Sequence, residues 1–389
     1  MTGQPSFKTT ISILSLSTVS SVATVITGTI PQLKQTFPTV PTTVIEWLVT
    51  VANLSALVTL LLNPWLVKRW GIQNTVITGL LLSAVVGVVP ALTDNFTAIM
   101  LSRILLGFGI GLFSPHAISL IAHSYHGDLR ARLLGYQTGL SALGNAVLLS
   151  LAGLLIGVSW HAVFWLHGLL AGIAVLVFLN VPEPQQIAVV APTTSGISSL
   201  PHRQRLLVGL TFITYLLIWG VQLKLPSYFE NRQFGDARVL NLTLAAMNVG
   251  GLLAGLSFGA LHKHLHRFTL TLGYAGAAGA VFLLWSTANA NIAIIAAIGF
   301  NFIYSYTGPY LVFTSNSGLA PDQINALSST LTIATIISAF FAPLIWNLIG
   351  QLGPQTLTDN VLLWITVTLT ALAVLTLLVP TERKGNHDH

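Results

Sequence analysis

No cysteine occurs among the 389 residues, which removes disulfides, thiolate metal sites and cysteine nucleophiles together. Charge is almost as scarce. Lys and Arg number 16 and Asp and Glu only 10, so charged side chains make up 7% of the chain, against roughly 25% in soluble globular proteins. With 53% hydrophobic residues and a mean hydropathy of +0.79, the chain has too little polar surface to remain dispersed in water. The composition is that of an integral membrane protein. A net charge of +6 would suggest nucleic-acid binding in a soluble protein, but here the basic residues gather in short loops between apolar segments, where they report membrane orientation. No nucleic-acid partner is expected.

Enzyme signatures are also missing. There is no Walker-type G-x-x-x-x-G-K-[ST], so no built-in ATPase. Gly255-Leu-Ser257-Phe-Gly259 spells the G-x-S-x-G of hydrolases but lies inside an apolar helical run, not at a strand-turn-helix elbow. Gly107-Phe-Gly109-Ile-Gly111 lacks the strand that precedes a dinucleotide loop. His262, His264 and His266 flank Lys263 with no carboxylate, a poor cation site. The chain is read as a non-enzyme with no metal and no cofactor.

What is present is length in apolar runs. Crossing a hydrocarbon core about 30 Å thick takes about 20 residues of helix. Twelve such runs occur: 9–30, 43–66, 74–93, 97–121, 134–157, 161–181, 206–229, 238–261, 268–286, 290–315, 325–350 and 359–380. Asn, Gln, Gly and Pro interrupt several of them, as expected of helices packed around a polar cavity. With the amino terminus inside, Lys8, Lys68, Arg69, Arg130, Arg132, Arg203, Arg205, Lys263, Arg267, Arg383 and Lys384 fall on the inner side, against Lys34, Arg232 and Arg238 on the outer. The positive-inside rule therefore places both termini in the cytoplasm of a cell-membrane protein. The Pro-, Ser- and Thr-rich stretch 182–205 reads as a cytoplasmic linker. It divides the chain into six-helix bundles at 1–181 and 206–389, the second ending in a short cytoplasmic tail. Lys68 and Lys263 occupy equivalent points half a chain apart, which an internal duplication explains.

Several motifs have counterparts in a known family. Ile30-Pro-Gln-Leu33 is followed by Glu46-Trp47-Leu-Val-Thr50; Leu66-Val-Lys68-Arg69-Trp-Gly71 follows the second run; Leu101-Ser-Arg103-Ile-Leu-Leu-Gly107 lies in the fourth; Ser159-Trp160-His161 opens the sixth. In these features, and along nearly all of 8–385, the chain resembles the twelve-helix drug:proton antiporter branch of the major facilitator superfamily. The resemblance implies an all-α fold of two pseudo-symmetric six-helix bundles, alternating access, the proton gradient as energy source, and export of amphipathic compounds. It also implies that Arg103 takes part in proton coupling. The chain departs from the pattern at Lys68, where the family's loop motif has Asp, at Pro64, Ile72 and Gln73, and in the fifth run, which lacks the antiporter Gly-Pro pair.

Arg103 lies about 9 Å inside the fourth run at 1.5 Å per residue, where an unpaired guanidinium is costly, so it is expected to face the cavity and find a partner. Glu46, set in continuously apolar surroundings, is the candidate proton carrier, exchanging partners with Arg103. Lys224 is expected either to snorkel to the interface or to meet substrate. If Lys224 and Arg103 both face the cavity, it is electropositive, and uptake or exchange of an anionic metabolite or sugar becomes the alternative function. The candidate substrate contacts are Arg103, Asn53, Gln137, Asn145, Gln222, Lys224, Asn248, Asn301, Tyr304 and Tyr306. Lys68, Arg69, Gly71, Asp128, Arg130, Arg132 and Lys263 are the candidate cytoplasmic gate. Pro115 should kink the fourth helix, and Gly251, Gly255 and Gly259 should form a close-packing stripe. The expected partners are a small-molecule substrate, protons and the lipid bilayer, with the protein acting as a monomer.

Overall fold

A computed structural model describes residues 6–183, 200–316, 319 and 321–378. Among the described residues, twelve helices are long and apolar enough to cross a membrane: α1 Phe7–Thr36, α2 Thr42–Trp70, α3 Ile72–Ala91, α4 Phe96–Ser124, α5 Gly127–Leu155, α6 Trp160–Asn180, α7 His202–Arg232, α8 Ala237–Leu265, α9 Phe268–Ser286, α10 Ala290–Asn316, α11 Ala326–Ile349 and α12 Leu357–Leu378. The number matches the sequence reading. Several helices run beyond the expected boundaries, α1 as far as Thr36 and α5 from Gly127, because a helix can continue past the apolar run that marks it. Most of the expected linker, 184–199, lies outside the described residues.

Thr9 at the start of α1 donates to the Asn180 carbonyl at the end of α6 (2.8 Å), and Thr271 early in α9 bonds Thr376 late in α12 (3.0 Å). These contacts define a linker end of the molecule; the opposite end is the far end. The two halves meet where α2 packs on α11 and α5 on α8, with α1 and α7 alongside.

Four helices are interrupted; α6 passes through a 3₁₀ turn at Trp165–Gly168, and the other three break for local reasons. In α1 a regular helix gives way to a 3₁₀ segment, Val22–Thr29, and there Ser and Thr hydroxyls fold back onto carbonyls three residues earlier: Ser20 on Ser17, Thr24 on Ser21, Thr27 on Thr24, Thr29 on Ile26. Such bonds compete with the helical ladder. In α4 the helix stops at Phe113 and restarts at His116, with Pro115 between, as expected. In α10 it stops at Tyr304 and restarts at Thr307, close to the equivalent point of the second half.

Glycine sets the helix spacing in the first half. A Cβ on Gly107 would collide with Ser55 Oγ and the Ala52 carbonyl of α2, one on Gly111 with Thr59 and Ala56, and one on Gly109 with Gly79 and Ser83 of α3. The alternating glycines of α4 thus let it press on two neighbours at once. The expected stripe on α8 holds only at its first member. Gly251 meets Asn301 and Ser305 of α10, whereas Cβ atoms on Gly255 and Gly259 would meet nothing within 4 Å. Beyond Gly251 the glycines make no contact, although α10 still runs beside α8, where Ser257 bonds Tyr306 and His262 packs on Tyr310 and Phe313.

Replacing Gly107 by Ala should therefore destabilise the purified protein by about 1–3 kcal/mol, the usual cost of overpacking, while Gly255→Ala should change it by no more than about 0.5 kcal/mol. Thermal unfolding in detergent, run side by side, measures the difference; equal shifts would contradict this account of helix spacing.

Candidate functional site

Glu46 near the far end of α2 projects toward the second half. Its Oε1 accepts from Lys224 Nζ of α7 at 2.5 Å, and its Oε2 accepts from Asn347 Nδ2 of α11 at 2.8 Å. Asn347 Oδ1 closes the ring by accepting from Lys224 Nζ at 2.7 Å. All three side chains are buried, Glu46 and Lys224 to within 1% of full burial. Two opposite charges removed from water survive only if each is paired and the remaining polar atoms are bonded, and Asn347 supplies those bonds. Around this triad, Lys34 donates to Ser227 (3.0 Å), Gln35 to Glu230 (2.8 Å), and Trp47 Nε1 to the Phe340 carbonyl (3.0 Å) while its ring stacks on that of Phe340. Each of these contacts joins the first half to the second, and each lies toward the far end.

Toward the linker end the halves part. Along α5 and α8, a Cβ on Gly153 would lie 2.8 Å from Asn241; Asn145 donates to Asn248 at 2.8 Å; a Cβ on Gly139 would lie 3.9 Å from Leu252; one on Gly135 would meet nothing within 4 Å. The crevice is therefore a wedge, sealed at the far end and open at the linker end. The candidate gate residues Lys68, Arg69, Asp128, Arg130, Arg132 and Lys263 are all exposed, and none forms an ion pair among the described residues. Arg69 rests on the Trp65 ring, and Arg132 donates to the Tyr136 hydroxyl at 3.4 Å. Gly71 serves a local purpose: its φ of +82° turns the chain between α2 and α3, where Glu183 accepts from the amides of Ile72 (2.7 Å) and Gln73 (2.8 Å). That carboxylate caps the start of α3. A latch at the linker end is not engaged in this conformation, and the interlock that is engaged lies at the opposite end.

A cavity of about 190 Å³ lies at the seam, lined by Ser21, Thr24, Thr27, Asn145, Leu149, Trp219, Gln222, Leu244, Met247 and Asn248. The 3₁₀ geometry of α1 explains its hydroxyl row, because residues three apart eclipse in such a helix and Ser21, Thr24 and Thr27 stack along one line. On α7, Trp219 and Gln222 share a face for the analogous reason in an α-helix. Every polar group in the lining is neutral.

Of the ten candidate substrate contacts, Asn145, Gln222 and Asn248 line this cavity. Arg103 does not: it is fully buried inside the first half, donating Nε to the Leu48 carbonyl (2.8 Å), Nη2 to the Ala23 carbonyl, and Nη1 to His167 Nε2 (3.2 Å). The expected exchange between Glu46 and Arg103 finds no support, since Glu46 is taken by Lys224. The reason is rotational: Glu46 and Leu48 are about 200° apart around α2, so the acid faces the other half while the Leu48 carbonyl faces Arg103. Lys224, expected to snorkel or to meet substrate, is instead held by Glu46 and Asn347. Asn301 bonds the Met247 carbonyl of α8, Tyr304 the Thr214 carbonyl of α7, and Tyr306 the Ser257 hydroxyl (2.8 Å); these three tie the second half together. Gln137 is half-buried beside Thr138. Asn53 shares the Glu46 face of α2 with Thr50, and Asn53 Nδ2 and Thr50 Oγ1 are buried without a described partner. The sequence reading missed Asn347, His167 and the α1 hydroxyls. A signal existed for the last alone, in the three-residue spacing of Ser21, Thr24 and Thr27.

Lys224→Met should strand the Glu46 carboxylate and cost about 3–5 kcal/mol of stability, the usual consequence of removing one partner of a buried pair. Glu46→Gln combined with Lys224→Met should recover most of it. A double-mutant cycle read by thermal unfolding decides the point; additive losses would mean that the two residues do not interact.

The model of the Major Facilitator Superfamily matches residues 11–343. The tetracenomycin C resistance and export protein of Streptomyces glaucescens is 27% identical over 207 residues, 52% of this chain and 36% of that protein; this chain thus matches only about a third of that relative's length. The 3-(3-hydroxy-phenyl)propionate transporter of Escherichia coli strain K12 is 22% identical over 325 residues, 80% of this chain and 78% of that one. Among solved structures, a D-xylose-proton symporter superposes with a TM-score of 0.77 at 17% identity, covering 98% of this chain and 99% of that one, a likeness of fold. Twelve membrane helices in two facing halves, a seam cavity and a family match along most of its length establish that this chain belongs to the Major Facilitator Superfamily of transporters.

Proposed function

We propose that the protein is a proton-coupled secondary transporter that exports neutral amphipathic small molecules across the cell membrane by alternating access. The observation that carries the reading is the Glu46–Lys224–Asn347 interlock between the halves. Glu46 is the one buried carboxylate described at the seam; the other buried acid, Asp359, pairs with Arg232 within the second half. Protonating Glu46 removes the countercharge of Lys224 and leaves an ammonium without its partner in a dry site. That state is relieved by separating α2 from α7 and α11, which admits water to the far end. Proton occupancy and opening of the far end are then a single event. The basic loops of the linker end support placing that end and both termini in the cytoplasm, so the present wedge is the inward-open form.

The cavity supports a neutral substrate. Lys224 is neutralised by Glu46 and Arg103 is retained inside the first half, so neither of the cations behind the anion alternative reaches the lining. What does reach it is the indole of Trp219, the apolar Leu149, Leu244 and Met247, and a row of hydroxyls and amides. This combination suits a ring compound bearing hydroxyl or carbonyl groups, an apolar body with a few oriented hydrogen bonds. At about 190 Å³ the cavity is smaller than the roughly 300–1,000 Å³ of drug-sized sites, so a multi-ring substrate requires further separation of the halves. The export direction is supported by the resistance-and-export relative. Uptake of an aromatic carboxylate, the kind of solute named for the relative matched over most of both chains, is the competing reading.

Everted membrane vesicles given an inward-acid pH gradient should accumulate the uncharged dye Nile red; a protonophore or Glu46→Gln should abolish the accumulation. Undiminished transport by the variant would eliminate Glu46 as the carrier, and gradient-driven loss of dye from the lumen would reverse the direction. Because the chain has no cysteine, single cysteines report accessibility without background. Gly139→Cys and Gly255→Cys should react with an impermeant maleimide in everted vesicles, and Thr50→Cys should stay unreactive in right-side-out ones until the external pH is lowered. Labelling with the opposite sidedness would overturn the assigned orientation.

A further inference from the structure

We propose that His167 is a second proton site in this transporter and that Arg103 reports its state, because a proton and the guanidinium compete for one imidazole lone pair. The hydrogen bonds fix the tautomer. His167 Nδ1 lies 3.0 Å from the Phe164 carbonyl oxygen, which can only accept, so Nδ1 carries the hydrogen. In the neutral ring Nε2 then bears a lone pair, and that lone pair accepts from Arg103 Nη1 at 3.2 Å. Arg has no acceptor, so this contact exists only while the ring is neutral. A proton on Nε2 would face an N–H directly and set two cations side by side.

No other charged or titratable group intervenes. From α3 the ring meets Gly87, where even a Cβ would lie 2.6 Å away; that helix carries no ionisable residue. From α4 it meets Arg103, and His116 and His123 of that helix lie beyond the Pro115 break. Within α6 it has the Phe164 ring stacked beside it, while His161 is bound to Asp94 at the far end. Of the helices that hold Arg103, α1 offers the Ala23 carbonyl, with Lys8 at the linker end and Lys34 committed to Ser227; α2 offers the Leu48 carbonyl, with Glu46 committed to Lys224 and Lys68 and Arg69 exposed at the linker end. A proton arriving at His167 must therefore displace Arg103, with no carboxylate there to compensate.

The displacement has a route to the cavity. One carbonyl that holds Arg103, that of Ala23, belongs to the 3₁₀ segment of α1, and the hydroxyls of Thr24 and Thr27 on that segment, with Ser21 at its start, line the cavity. A ligand bonded to those hydroxyls and a proton on His167 act on the same short stretch of backbone from opposite sides. Each alters the affinity for the other by the same factor. The inference relies on the proton-coupled reading for its use in transport; the lone-pair competition stands on its own.

Hydrogen exchange of the full-length protein in nanodiscs, without ligand and corrected for intrinsic rates, tests it. As the pH falls from about 7.5 to about 5, the range in which a histidine released from Arg103 takes up a proton, amides of 22–29 should lose protection, by at most about tenfold per pH unit for one proton. His167→Gln, whose Oε1 can accept from Arg103 but takes no proton, should make protection over 22–29 independent of pH. Arg103→Gln, which removes the guanidinium that links the ring to the Ala23 carbonyl, should likewise flatten the profile. Glu46→Gln should leave the response at 22–29 in place while loosening the far end, so failure of the Glu46 mechanism and failure of this one give different results. A flat wild-type profile, a wild-type response in either His167→Gln or Arg103→Gln, or loss of the response in Glu46→Gln would each overturn the assignment.

Discussion

Lys224 and Glu46 are two charges that a membrane interior tolerates only as a pair, and the pair is split between the halves of the protein. That division is what the rest of the structure depends on. A salt bridge within one half would stabilise that half and leave its motion unconstrained. Placed across the seam, it makes closure of the far end conditional on both charges being present and in contact, and Asn347 bonds to both so that neither has an unmet polar atom. The surrounding contacts of Lys34, Gln35 and Trp47 are weaker members of the same seal. With the far end held, a rigid half can move only by opening at the other end, and the widening gap between α5 and α8 records that geometry.

Arg103 illustrates the same constraint solved within one half. The first half contains no buried acid available to it, so it is satisfied by two carbonyls and an imidazole. A backbone carbonyl already engaged in a regular helix is a limited acceptor. The Ser- and Thr-rich break in α1 loosens the ladder at the level of Ala23, and irregular backbone at membrane depth is tolerated where it is buried in protein or lines a cavity. Here it does both. The same eight residues give Arg103 an acceptor on one side and present aligned hydroxyls to the cavity on the other. The irregularity is a consequence of residue choice, since Ser and Thr at three-residue spacing favour it.

Much of this fold was legible in the sequence because bilayer thickness imposes a length that any reader can count. The twelve spans, the kink at Pro115 and the depth of Arg103 all follow from apolar run length and helix geometry. Partner choice did not follow. That Glu46 and Arg103 are the conspicuous charges of the first half suggested that they meet, but a span's boundaries are uncertain by more than the two residues that separate Glu46 from Leu48, and two residues turn a helix by about 200°. Lys224 was similarly ambiguous: its place near a helix end fits both snorkelling and an inter-half bond, and only the packing of α7 on α11, which turns Lys224 toward Glu46, selects the second. The glycines of α8 misled in a simpler way, since a small-residue stripe specifies that helices can approach closely without specifying that they do.

The chemistry of the cavity follows from this economy of charge. A chain with 26 carboxylate, ammonium and guanidinium side chains that assigns the membrane-buried ones to interlocks has none to spare for the lining, which is left with hydroxyls, amides and an indole. Such groups discriminate by shape and by a few oriented hydrogen bonds, and an apolar pocket of that kind separates close analogues only weakly. Electrostatic specificity and gating would compete for the same residues, because a substrate carboxylate able to reach Lys224 would also break the far-end seal. On the proposed reading, a neutral lining separates the two tasks: a solute would be held by groups whose bonding leaves the Glu46–Lys224 pair intact, and the pair would remain free to respond to protons.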